Sequence, residues 1–66
     1  MGFKNKLKEY RIKRGLTQEK LAKLSNVSRT TIAGIESGVI STTTTDTILK
    51  LSNALNAPVA RIFFTR

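Results

Sequence analysis

Sixty-six residues make one small domain, spanning 1–66, and a chain of this size buries only ~60% of its unfolded surface. Cysteine and histidine are both absent, which excludes disulfides and thiolate metal sites and removes the commonest metal ligand and proton shuttle. Twelve Lys/Arg against four Asp/Glu give a net charge of +8. Residues 1–29 hold nine of those bases and two acids, for +7, and the rest of the chain is left with +1. So lopsided a charge points to a polyanionic partner, nucleic acid or an anionic membrane, more than to generic solubility. No apolar run approaches the ~18 residues that cross a bilayer. Met1-Gly2-Phe3-Lys4 leads into no long apolar stretch, so no secretion signal is expected and a cytoplasmic location is the default.

The first predicted helix runs from Phe3 to Arg14. Phe3, Leu7 and Tyr10 recur at helical spacing, Ile12 falls off that stripe with its burial open, and Gly15 stops the helix. Thr17 caps the second helix, with Glu19 in the first turn, where a negative charge suits the helix dipole. Leu21, Ala22 and Leu24 are its expected inward residues, and it ends near Ser25, with Asn26 suited to a left-handed position. Ser28 caps a third helix, with Ile32 and Ile35 inward and Gly38 at its end. Two short helices joined by Ser25-Asn26-Val27 cannot lie antiparallel, which is the arithmetic of a helix-turn-helix. A fourth helix starts at Thr44 or Thr45, buries Ile48, Leu51 and Leu55, and closes at Asn56. Pro58 opens a short fifth helix carrying Val59, Ile62 and Phe63. The fold class is therefore all-α. Phe3 and residues 63–66 are also candidates for a short ribbon joining the two termini.

The third helix divides cleanly. At about 100° per residue from Arg29, Ala33 falls at about 40°, Ser37 at about 80°, Thr30 at about 100° and Gly34 at about 140°. Thr31 falls at about 200°, Ile35 at about 240° and Ile32 at about 300°. One side is two isoleucines; the other is a long cation, short hydroxyls and two residues with almost no side chain. Such a side suits a DNA major groove. Arg can grip guanine O6/N7, Thr can reach a base edge or a thymine methyl, and Ala33 and Gly34 allow close backbone approach. An amphipathic helix with a small exposed side is the competing description.

The stretches Gly15-Leu16-Thr17-Gln18-Glu19-Lys20-Leu21-Ala22, Val27-Ser28-Arg29-Thr30-Thr31-Ile32 and Ile35-Glu36-Ser37-Gly38 resemble the Cro/repressor (Xre-type) helix-turn-helix family. Leu49-Lys50-Leu51, Ala54-Leu55-Asn56 and Val59-Ala60-Arg61-Ile62-Phe63 are similar to that family's last two helices. The likeness covers roughly residues 6–63, and in length the chain is similar to the family's small stand-alone repressors. It implies a five-helix lambda-repressor-like domain and a sequence-specific regulator that binds double-stranded DNA as a homodimer across an inverted repeat. It further implies that Gln18 bonds a phosphate and braces the reading helix, with Thr17 adding a phosphate contact to its cap. Ser28, Arg29 and Thr30, with Thr31 in the same contact set, would reach phosphates and base edges, and Ser37 the far phosphates. Gly34 stands where the family often has a longer polar side chain. The family also pairs an Arg on the first helix with a Glu ending the third, here Arg11 and Glu36.

Val39, Ile40, Pro58 and Phe64 are the candidate dimer-interface residues, while Ile62 and Phe63 fit the core better. The remaining cations, Lys4, Lys6, Lys8, Lys13, Arg14, Lys20 and Lys23, form a solvated face with a few phosphate contacts. A protein-binding antitoxin with secondary DNA binding is the main rival function, and a basic amphipathic membrane binder a weaker one. Glu9, Glu19, Glu36 and Asp46 show no paired spacing and no phosphate loop appears. Neither an enzyme nor a metal, cofactor or small-molecule ligand is expected.

Overall fold

The computed structural model describes residues 5–40 and 43–64. Five helices follow in chain order: α1 (Leu7–Lys13), α2 (Gln18–Ser25), α3 (Arg29–Ser37), α4 (Thr45–Leu55) and α5 (Val59–Phe63). α2 packs on both α3 and α4, α5 on α4, and α1 closes the bundle against α3 and α5.

One local device starts three of these helices. Thr17, Ser28 and Thr44 sit in extended conformation, and each side-chain oxygen accepts the N–H three residues on, from Lys20 (3.0 Å), Thr31 (3.1 Å) and Thr47 (3.2 Å). Each bond satisfies one of the amide donors a helix leaves unpaired at its start. The fourth helix thus takes Thr44 as cap and Thr45 as first residue. The same helices stop at left-handed residues, Asn26 (φ 60°), Gly38 (φ 82°) and Asn56 (φ 51°), the residue types that tolerate that backbone best.

α1 begins at Leu7, later than the expected Phe3; Phe3 itself lies outside the described residues. The cause is Asn5. Its Oδ1 accepts the Leu7 N–H at 2.9 Å, and a side chain that serves the backbone this way competes with helix. Its Nδ2 donates to the Ile35 carbonyl at 3.0 Å, pinning the start of α1 to α3.

Leu7, Leu21, Ile32, Ile35, Leu51, Leu55 and Ile62 are fully buried, and Val27 and Phe63 complete the core. Truncating any one of the leucines or isoleucines to Ala removes about 2–5 kcal/mol, comparable with the whole net stability of a domain this small. Val27 precedes the Ser28 cap and shares the core with Ile32, four positions past that cap; such a pair fixes the angle at which the chain enters the helix.

Two inward assignments change. Leu24 is 62% exposed. Leu21 and Ser25 share the buried face of α2, and Leu24 lies about 100° round from Ser25. Ser25 enters the core by donating its hydroxyl to the Leu21 carbonyl at 2.7 Å. Ile48 is half-buried, packed at the core's edge, while Ile12 is exposed. No strand occurs among the described residues. Part of the expected terminal ribbon lies outside them, but Phe63 is helical and buried, because filling the core removes more apolar surface from water than an edge pairing. A backbone bond, Lys6 N–H to Ile62 C=O at 2.7 Å, ties the start of α1 to α5.

Candidate nucleic-acid interface

The link between α2 and α3 is Asn26, Val27 and Ser28, and little of it is free. The Asn26 N–H returns to the Ala22 carbonyl at 2.9 Å, and the Val27 N–H donates to Ser25 Oγ at 3.3 Å. With Val27 buried, α3 leaves the turn in one direction. Ile32 and Ile35 then lock it from behind at zero exposure.

The opposite side of α3 is open. Arg29, Thr30 and Ser37 are exposed, and Ala33 and Gly34 are half-buried. α3 has no acidic residue in its first turn, and Arg29 occupies its first position. A cation there opposes the helix's own dipole, whose positive end favours anions. The arrangement suits an external anion better than it suits the isolated helix. Thr31 is half-buried and its Oγ1 accepts from Ser28 Oγ at 2.8 Å, so both hydroxyls are engaged in the cap. Ser37 Oγ donates to the Gly34 carbonyl at 3.3 Å and accepts the Val39 N–H at 3.4 Å, holding the end of α3.

Glu36 collects the scaffold beneath this side. Arg11 donates from Nε and Nη2 to its two carboxylate oxygens at 2.6 and 3.0 Å, and from Nη1 to the Leu16 carbonyl at 2.8 Å. The hydrogen bond to Glu36 raises the Arg11 guanidinium above its ordinary value, burial opposes this, and the charge of Glu36 adds to the rise. Gln18 Nε2 donates to the same carboxylate at 3.1 Å. So α1, α2 and α3 are tied at one point, and the Gln18 amide already braces α3. Thr17, Gln18, Glu19, Arg11 and Arg29 line one shallow depression at the surface, which brings both helix starts to one side of the molecule.

Gly34 departs from the open approach its small size implies. A Cβ there would meet Ile40 Cδ1 at 2.5 Å and Cγ1 at 2.7 Å, because Ile40 folds back over the helix and packs against the core. Ile40 is therefore half-buried, in contrast to Val39 at 82% and Phe64 at 66% exposure. Pro58 is also exposed. Arg14 leaves the solvated cation set: it donates from Nε to the Leu55 carbonyl at 2.9 Å and from Nη2 to that of Asn56 at 3.3 Å, closing the end of α4. The roles of Asn5, Arg14 and Ile40 escape sequence reasoning because their partners are distant in the chain or unmarked by any motif. Val27 did carry a signal, an apolar residue directly before a capping serine.

Two short capped helices at a fixed angle, the second with one greasy and one polar side, define a helix-turn-helix domain. Residues 7–62 match the helix-turn-helix family, and the chain belongs to it. Among its relatives is the HTH-type transcriptional regulator MJ0272 of Methanocaldococcus jannaschii, itself uncharacterised and 63% identical over 36 residues. That stretch is 54% of this chain and 54% of the relative, so the match spans about half the relative's length. Among solved structures, the restriction-modification controller protein C.AhdI from Aeromonas hydrophila superposes with a TM-score of 0.79 at 38% identity, over 85% of this chain and 83% of that one. No helix among the described residues is long and apolar enough to cross a membrane.

Proposed function

We propose that this chain is a cytoplasmic, sequence-specific transcriptional regulator of the repressor kind, and not an enzyme. It binds an inverted-repeat operator in double-stranded DNA as a homodimer, with α3 in the major groove. The observation that carries this reading is the polar side of α3, held outward by Ile32 and Ile35 behind it. Arg29 and Thr30 reach base edges, and Ala33 lets the backbone close in. The helix starts at Thr17, Gln18 and Ser28, with Thr31 in the Ser28 cap and Ser37 at the far end, meet phosphates and set the register, as backbone contacts do in such interfaces. Exposed Val39, Pro58 and Phe64 offer the apolar area for a second copy. The relatives, named as a transcriptional regulator and a restriction-modification controller protein, point the same way.

Selection from a random duplex pool, followed by footprinting, tests this. Two inverted half-sites with centres about one turn apart, ~34 Å, are the expected result. Binding that enriches no sequence overturns it, and co-purification with an unrelated polypeptide in place of a footprint would favour the antitoxin reading.

A further inference from the structure

We propose that Ile40 is a specificity-determining residue of this interface, reading the C5 methyl group of a thymine beside α3. The inference rests on the DNA-binding reading above and adds a residue from outside the reading helix.

Gly34 lies on the polar side of α3, at about 140° from Arg29 and nearer the outward direction than either isoleucine. It has no side chain to present there, and the space is not empty. Ile40 Cδ1 and Cγ1 stand at 2.5 and 2.7 Å from where a Cβ on Gly34 would be. The Ile40 N–H donates to the Gly34 carbonyl at 3.1 Å, so the backbone as well as the side chain is tied to that position. Ile40 thus occupies the place of a residue-34 side chain, delivered from the chain beyond the helix. It packs against the core yet is only half-buried, so it is not sealed off from the surface.

The chemistry follows from what this atom set can match. An isoleucine offers no donor or acceptor, so it cannot pair with the nitrogen and oxygen atoms of a base edge. The one apolar group a base pair displays in the major groove is the thymine methyl. Seating on Gly34 means that the side chain is already ordered, and little rotamer entropy is lost on contact. The neighbouring polar-side residues, Thr30, Ala33 and Ser37, are all short.

The test takes the operator found by selection and replaces each thymine in turn with deoxyuridine, which deletes only the methyl. Wild-type protein should lose roughly 3- to 5-fold in affinity at one thymine per half-site, the worth of about one buried methyl. Ile40→Ala should bind the thymine and uracil forms of that site equally, with every other position unchanged. Ile40→Val, which lacks only Cδ1, should discriminate less than wild type and serves as the measure if the alanine variant fails to fold. Specific binding that is indifferent to every thymine methyl overturns the assignment and leaves the DNA-binding reading intact. A methyl effect that persists unchanged in Ile40→Ala or Ile40→Val overturns it as well, and gives the contact to another residue. Loss of all sequence preference in the wild type ends both readings together.

Discussion

Arg11 and Glu36, 25 residues apart, meet through two hydrogen bonds at 2.6 and 3.0 Å, with side chains 12% and 4% exposed. A planar fork on a carboxylate fixes direction as well as distance, and here it fixes the direction of α3. Such a pair is weak evidence of net stabilisation, yet breaking it leaves a buried charge unpaired. Arg11→Ala should therefore lower stability by roughly 3 kcal/mol, the low end for removing one partner of a buried pair. Arg11→Lys should recover only part of this, because an ammonium cannot reproduce the fork. Urea unfolding measures both. An unchanged midpoint for Arg11→Ala would show the pair to be incidental.

Arg29 is exposed and its side chain makes no hydrogen bond or ion pair among the described residues. Arg29→Ala should leave the melting temperature near wild type, relax preference at one base position and cost about 1–3 kcal/mol of binding. Affinity against a panel of single-base operator variants checks it. A uniform loss across the panel would make Arg29 a phosphate contact instead.

The charge of +8, concentrated in residues 1–29, sets the salt response. A dimer that neutralises roughly 6–10 phosphates should lose about 10³–10⁵-fold in affinity between about 50 and 200 mM salt. A titration of affinity against salt measures it, and a flat slope would remove the electrostatic part of the account.

Arg14 closes α4 through the Leu55 and Asn56 carbonyls. Those carbonyls lie at the negative end of the helix dipole. Arg14→Ala should reduce stability by about 0.5–1 kcal/mol. In a fully folded sample its effect on the salt slope should be smaller than that of losing a phosphate-binding lysine. Thermal unfolding and the salt titration together separate the two roles.

Gly34 and Ile40 should be coupled. Gly→Ala inside a helix ordinarily gains about 1 kcal/mol, but at Gly34 the new Cβ displaces Ile40 from a 2.5 Å approach. Gly34→Ala should then stabilise the protein more in an Ile40→Ala background than in wild type. A double-mutant cycle in urea reads the difference, and additive effects would mean that the contact has no energetic weight.

Much of this domain is legible in one dimension. Thr17, Ser28 and Thr44 announce helix starts, and Asn26, Gly38 and Asn56 announce ends, because caps act within three or four residues and need nothing from the rest of the chain. The spacing of Ile32 and Ile35 places the opposite side of α3 outward for the same reason. Leu24 faces out, against its apolar spacing, because α2 is too short for its apolar residues to define a face without the neighbours it packs on. Ser25, nominally polar, took the inward place by returning its hydroxyl to its own helix.

The sequence by itself determined where α2, α3 and α4 begin and end, the polar side of α3 and the lopsided charge. All of these are set by local geometry or by simple counting. Only the tertiary structure decided that Gln18 shares Glu36 with Arg11, that Arg14 serves α4, that Asn5 holds α3 and that Ile40 covers Gly34. Those partners lie from 6 to 42 residues away, and which of many equivalent polar or apolar groups meet across such distances depends on how the core aligns the helices.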